Sequence, residues 1–386
     1  MPKTYKNLYP QVYAFENLYQ AHRQARKGGK RRRPEVAEFE HDLGQNLLHL
    51  QEELGEQIYR PGPYRHFIVI ERKARKISAA PYRDRVVHHA LMNVIQPVFE
   101  VRFIHDSYAC RVGKGTHRAL DRAQQFARQY RYVLQCDVRQ FFPSIDHQIL
   151  RGLLTRHIAC QRTMWLVDQI LASGVGVLDD CYTPVYFPQD DPSTGSGQGL
   201  FAIARPRGLP IGNLCSQHWA NLYLHPLDLF VKQNLRCQAY LRYSDDSLLF
   251  ADEKSTLHGW RDEIIGFSQT LRLTLHEERA QVFPVENGIT FLGWRLYPHH
   301  RRLRRENVRH AVRRLKQQQE AFARGELDQE KLTASVQAWL AHAAHGNTYR
   351  LRRHIMRQFV FTPGNTRLPS RKPSRLPGSA KICQIT

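Results

Sequence analysis

Two stretches of this chain end an apolar run on carboxylates. In Tyr240-Leu241-Arg242-Tyr243-Ser244-Asp245-Asp246-Ser247-Leu248-Leu249-Phe250, an aromatic approach meets two adjacent aspartates and a second apolar run leaves them. Like charges side by side repel unless a cation or solvent offsets them. A solvated Asp-Asp turn is the ordinary explanation, since turns favour Asp, but these flanks are too apolar for a surface loop. Tyr132-Val133-Leu134-Gln135-Cys136-Asp137 repeats the pattern with one carboxylate. Strands ending on Asp137 and Asp245 in one sheet would make an all-oxygen site suited to Mg²⁺, with Mn²⁺ as the alternative. Two ions so held can activate a hydroxyl and stabilise a leaving pyrophosphate, the logic of nucleotidyl transfer.

These carboxylates need elements to position them. The first stretch reads as a hairpin with Ser244, Asp245 and Asp246 at its tip. Upstream, Phe67–Ile70 and Lys76–Pro81 read as strands joined by the basic turn 71–75, followed by a helix from Asp84 to Val98. The segment Ser107–His117 carries Arg111, Gly113, Lys114 and Gly115 and leads to another helix ending at Tyr130; its glycines permit close backbone approach. After Asp137, Phe141 is assigned to core packing, and Asp146 to capping a helix that starts near His147. Residues 174–207 read as an inserted surface loop with solvated aspartates. Its Gly195–Gly199 run lacks the strand and helix that a dinucleotide fingerprint requires.

At these residues the chain resembles a known family. Tyr243-Ser244-Asp245-Asp246 resembles the Tyr-x-Asp-Asp box of reverse transcriptases, and Asp137 with Phe141-Phe142 resembles their first catalytic-aspartate motif. The similarity runs in the family's order from about Pro63 to Pro298. In Gly208-Leu209-Pro210-Ile211-Gly212-Asn213-Leu214-Cys215-Ser216-Gln217, Ile-Gly and Ser-Gln stand where most members have Gln-Gly and Ser-Pro. That box resembles the bacterial and phage enzymes of diversity-generating retroelements and their close relatives.

The resemblance implies an α+β right-hand polymerase: fingers, a palm with an antiparallel sheet, and a helical thumb. It divides the chain into a helical basic extension (1–60), fingers with the start of the palm (61–135), palm (136–300, with 174–207 inserted), thumb (301–361) and a basic, disordered tail (362–386). It implies Asp137, Asp245 and Asp246 as catalytic, metal-binding carboxylates. Arg111, Lys114, Phe142, Ile211 and Arg279 would contact the dNTP, with Arg75 or Lys76 assisting. Phe142 would exclude a 2′-hydroxyl, and Ile211, replacing a template-holding glutamine, would loosen discrimination opposite adenine. Leu292, Gly293 and Trp294 fall on the primer grip. Arg301, Arg305 and Arg309 would face duplex phosphates, beside a buried stripe of Val308, Val312 and Leu315; Trp339, Leu340 and Tyr349 would pack the thumb's second half. The activity implied is error-prone cDNA synthesis on a structured RNA template, with primer and dNTPs and an accessory helical protein as partners. A related antiphage enzyme with a dedicated noncoding RNA is the alternative. A basic RNA-binding protein without catalysis is a third reading, opposed by the three carboxylates.

Bulk properties agree with a polyanionic partner. Lys and Arg number 57 against 35 Asp and Glu in 386 residues, a formal net charge of +22, and phosphates neutralised by such a surface release counterions. The run Arg26-Lys27-Gly28-Gly29-Lys30-Arg31-Arg32-Arg33-Pro34 is either an RNA contact through Arg31, Arg32 and Arg33 or a solvated loop. A single helix is predicted over Val36–Leu54. Seven scattered cysteines without a C-x-x-C fit reduced thiols. With no apolar run near the roughly 18 residues that span a bilayer and no signal-peptide core at Met1–Lys6, a cytoplasmic location is expected.

Overall fold

The computed structural model describes residues 3–70, 74–190 and 205–363. The start of the basic turn 71–75, the Ser193–Gly199 run and the basic tail from residue 364 lie outside the described residues. The chain forms two compact units, Met1–Ile289 with Tyr297–His299, and Thr290–Leu296 with His300–Thr386.

The first unit begins with helices α1 (Tyr9–Tyr13), α2 (Phe15–Ala25), α3 (Pro34–His41) and α4 (Leu43–Gly55). The one helix predicted over 36–54 is therefore two, broken at Asp42, whose backbone (φ −129°, ψ 52°) leaves the helical region. Pro34 opens α3, where its missing N–H costs nothing. These helices share a core with α5 (Tyr82–Glu100): the Asn17 amide donates to Ala90 O at 3.0 Å. Strands β1 (Arg65–Ile70) and β2 (Ala74–Ala79) form a separate antiparallel pair.

The main sheet has the order β4-β5-β3-β6. Its strands are β3 (Tyr132–Cys136), β4 (Tyr240–Tyr243), β5 (Asp246–Ala251) and β6 (Gln281–Pro284), every pairing antiparallel. Near-continuous apolar strands imply burial on both faces, and the alternation shows it. Leu134, Cys136, Leu249 and Ala251 join the main core, while Phe250 turns the other way to meet Phe126 of α6 (Thr116–Gln129). Truncating such a buried phenylalanine costs about 3–5 kcal/mol. Further helices are α7 (Phe141–Ser144), α8 (His147–Thr155), α9 (Gln161–Ser173), α10 (Leu214–Leu229) and α11 (Lys254–Thr270). Phe141 is buried as expected. Asp146 caps α8, accepting from the amides of Gln148 at 2.9 Å and Ile149 at 3.0 Å.

The insertion departs from its predicted character at one aspartate. Asp190 is buried, not solvated: it accepts from Arg272 at 2.8 Å, and Arg272 also donates to Asp146 at 2.8 Å. Arg205 stands 2.9 Å from the same Asp146. Two carboxylates and two guanidiniums thus neutralise one another in a cluster that ties the insertion to the cap of α8.

The second unit carries the sheet β7 (Ile289–Phe291), β8 (Trp294–Leu296) and β9 (Arg301–Leu303), then helices α12 (Arg305–Ala323), α13 (Gln329–Ala344) and α14 (Tyr349–Met356). The segment predicted as wholly helical from Arg301 instead opens with a strand, because Arg301–Leu303 pairs with β8 in the register Trp294↔Leu303. On α12 the buried stripe is Ala311 and Leu315, with Val308 and Val312 half-buried. Trp339 packs, whereas Tyr349, at the first turn of α14, is 67% exposed.

Candidate active site

The β4–β5 hairpin closes with Ser244 and Asp245 as a two-residue turn, and Ser244 adopts a left-handed backbone (φ 57°). Pairing of β3 with β5, Cys136 opposite Ser247, brings the next residue, Asp137, to the same end of the sheet. The two carboxylates feel each other. The Asp245 carboxyl is pushed above the usual carboxylate range, first by burial and also by the negative charge of Asp137; the positive charge of Arg75 on β2 opposes this. Arg279 places Nη1 3.4 Å from Asp137 Oδ2.

Asp246 opens β5 opposite Tyr243. Among the described residues no group of three His, Cys, Asp or Glu is already arranged as a metal-ligand set. The three expected carboxylates lie at one end of the sheet: Asp246 continues the β3–β5 register opposite Asp137, and Asp245 precedes it in the turn. Their donor chemistry fits a divalent cation: hard oxygens, mutual repulsion, and one of them desolvated.

The expected dNTP residues divide. Arg279 stands at the carboxylates. Phe142 is half-buried, edge-on to Phe141 at 5.5 Å between ring centroids. Ile211 lies beside β2, its carbonyl accepting from the Ser78 amide at 2.8 Å. A Cβ on the neighbouring Gly212 (φ 122°) would stand 3.1 Å from Ile77, so this close approach suits glycine. Arg111 is engaged elsewhere: it donates to the Glu100 carboxylate at 2.8 Å and to the carbonyls of Ile104, Ser107 and Glu100. Lys114 donates to His105 O at 2.7 Å, and Lys76 is paired with Asp180 at 2.8 Å. Among Arg75, Lys76, Arg111 and Lys114, it is Arg75 whose positive charge acts on Asp245. A carboxylate at the end of α5 claims Arg111, which a linear motif cannot reveal.

Arg31, Arg32 and Arg33 are exposed around a 3₁₀ turn (Lys30–Arg32) that follows Gly28 and Gly29, both left-handed. In the second unit, Leu292 (φ 46°) and Gly293 (φ 86°) turn between β7 and β8. The Gly293 carbonyl accepts from Asn307 at 2.9 Å, and Trp294 is fully buried against His342. Trp294 is thus a core residue of its unit. Arg305 and Arg309 are exposed one turn apart on α12, whereas Arg301 donates to the His345 carbonyl.

Sequence reasoning missed the support beneath the turn. Arg242 on β4 is buried and forms a bidentate pair with Asp228 of α10, both bonds 2.7 Å. Its Nη1 also donates to Ser244 O at 2.9 Å. The available signal was a charged residue inside an apolar strand, because a buried charge needs a partner.

Carboxylates at one end of an antiparallel sheet, with Arg279 3.4 Å from Asp137 and the charge of Arg75 acting on Asp245, form an arrangement whose chemistry would suit nucleotidyl transfer. The chain belongs to the reverse transcriptase family: the family profile described as reverse transcriptase (RNA-dependent DNA polymerase) matches residues 67–296. It is similar to protein YkfC of Escherichia coli K12, 24% identical over 294 residues that cover 66% of this chain and 72% of YkfC. It is also similar to the group II intron-encoded protein LtrA of Lactococcus lactis subsp. cremoris, 25% identical over 283 residues, 71% of this chain and 41% of LtrA. The chain therefore spans less than half the length of LtrA. Among solved structures, a C-terminally truncated apo telomerase from Candida tropicalis has 13% identity and a TM-score of 0.44, covering 66% of this chain and 59% of that one. Among the described residues no helix is long and apolar enough to cross a membrane.

Proposed function

We propose that this chain synthesises cDNA on an RNA template, adding dNTPs to a primer 3′-hydroxyl by two-metal nucleotidyl transfer. The observation that carries the reading is the Asp137–Asp245 pair with Arg279 and Arg75 beside it. Asp137 and Asp245 would hold divalent cations, Mg²⁺ or Mn²⁺, with Asp246 as a further carboxylate nearby. Bound there, the metal supplies Lewis-acid activation and charge neutralisation. Arg279 and Arg75 would bind the triphosphate, where planar guanidiniums match phosphate oxygens. Phe142 would exclude a 2′-hydroxyl by bulk. Arg305, Arg309 and the Arg31–Arg33 run would bind nucleic-acid backbone.

Ile211 supports the finer reading, an error-prone enzyme of the diversity-generating kind, because an aliphatic side chain offers no hydrogen bond to fix the template–dNTP pair. Such an enzyme would work with a structured noncoding RNA and an accessory helical protein; a role in antiphage defence would use the same chemistry. Relatives named for introns, among them LtrA, favour an intron-like structured RNA as a second reading of the template. The test is primer extension on RNA with Mg²⁺, together with sequencing of RNA and cDNA that copurify. Wild type should extend, and Asp245→Asn should not. Full-length extension by Asp245→Asn would refute the site. Copurified cDNA with errors concentrated opposite template adenine supports the diversity-generating reading, and cDNA of an intron-like RNA supports the second.

A further inference from the structure

The catalytic turn is held by a buried ion pair that the polymerase motifs do not include. Arg242 and Tyr240 share one face of β4 by the two-residue alternation of a strand. Both reach Asp228 on α10: Tyr240 OH donates to Oδ1 at 2.7 Å, and Arg242 uses Nε and Nη2 on the two oxygens at 2.7 Å each. Asp228 is fully buried and Arg242 is 1% exposed. The Nη1 nitrogen then makes two more bonds, to Asn221 Oδ1 at 3.1 Å and to Ser244 O at 2.9 Å. Asn221 in turn donates to Ala109 O at 2.7 Å. The Arg242 backbone is fixed as well, its amide donating to Asp106 O and its carbonyl accepting from Tyr108 N, both at 2.9 Å.

Burying a charge pair contributes little net stability, and apolar residues of similar volume often serve as well. The geometry gives this pair another use. Ser244 is a non-glycine residue in the left-handed region, a conformation that persists only where its surroundings impose it. The guanidinium takes the Ser244 carbonyl while its fork is locked by Asp228. A lysine could pair with Asp228, but a compact ammonium lacks the planar fork that reaches Asp228, Asn221 and Ser244 O together.

We infer that Arg242 is a positioning residue: anchored by Asp228, it sets the Ser244–Asp245 turn and hence the placement of the Asp245 carboxylate against Asp137. The inference rests on the polymerase reading above, and it extends to residues that touch neither substrate nor metal. A displacement of about 1 Å in a reacting group can cost on the order of a hundredfold in rate.

The test compares wild type, Arg242→Lys and the charge-free pair Arg242→Gln with Asp228→Asn, which leaves no lone buried charge should the lysine variant fail to fold. Single-nucleotide incorporation is measured on primed RNA, and hydrogen exchange is followed in peptides covering residues 132–136 and 240–251. We expect kcat to fall about 10- to 100-fold with KM for dNTP within about twofold. Exchange should rise in the turn while β3 stays protected. Adding Ser244→Gly to Arg242→Lys should recover part of kcat, because glycine takes the left-handed conformation without strain. Wild-type kcat and unchanged turn exchange in either folded variant would overturn the inference, as would a kcat loss that only tracks the folded fraction and is not recovered by Ser244→Gly. If wild type itself adds no nucleotide, the polymerase reading fails, and the exchange data alone decide whether Arg242 holds the turn.

Discussion

Replacing Arg279 with glutamine separates a phosphate-binding role from a structural one. The side chain is 55% exposed, and its Nη1 stands 3.4 Å from Asp137 Oδ2. An exposed pair of this kind contributes about 0.2–1 kcal/mol to stability, further reduced by salt. The variant should therefore melt within roughly 1–3 °C of wild type. A charged hydrogen bond to a phosphate contributes more, about 1.5–3 kcal/mol. With RT near 0.59 kcal/mol, that is a loss of about 13- to 160-fold in kcat/KM for dNTP. Arg279→Lys keeps the charge but not the fork, so it should fall between. The assay is single-nucleotide incorporation across a dNTP titration, paired with thermal melts of the same preparations. A kcat/KM within twofold of wild type would remove Arg279 from the phosphate site. A loss accompanied by a melting decrease of many degrees would make the residue structural instead.

Three further outcomes are expected. Ile211→Gln should lower misincorporation about two- to twelvefold, the value of one hydrogen bond of roughly 0.5–1.5 kcal/mol, most strongly opposite template adenine; sequencing cDNA copied from one RNA by both enzymes checks it, and equal error spectra would contradict it. Neutralising Arg31, Arg32 and Arg33 together should weaken RNA binding and flatten its salt dependence, whereas unchanged affinity across a salt titration would make the run a solvated loop. Burial holds His88 near about 3 and His89 and His218 near about 4, below the ordinary 6.5. The folded state thus binds fewer protons than the unfolded one, so their contribution is complete above about pH 6.5 and is lost as pH falls through the folded values. Melting temperature should decline steadily between pH 7 and 4, and a flat profile would contradict the burial of these rings.

The sequence made the sheet legible because β3 and β5 are apolar along their length and end on carboxylates, and no tertiary information is needed to read that. The Asp146 cap was legible for the same reason: an N-cap aspartate bonds amides two and three residues onward, within the same local segment. Long-range partners were not legible. Arg111 sits in the expected segment, but Glu100 lies eleven residues away at the end of a helix and takes its guanidinium. Asp190 looked solvated among loop residues, yet Arg272, 82 positions later, buries it. The strand at Arg301–Leu303 was read as helix because three residues carry too little periodicity to outweigh the helical pattern that follows.

The Asp228–Arg242 pair shows where sequence reading loses its grip on the site itself. Arg242 in β4 breaks the apolar pattern as plainly as Asp245 does in the turn after it, and only their surroundings distinguish a support from a ligand. Asp245 faces another carboxylate, so its charge calls for a cation from outside the fold. Arg242 faces Asp228, so its charge is answered within the fold and one nitrogen is left to act on the Ser244 carbonyl. The distinction turns on whether a buried charge meets its own sign or the opposite one. That is a property of the packing between α10 and β4, and no spacing along the chain encodes it.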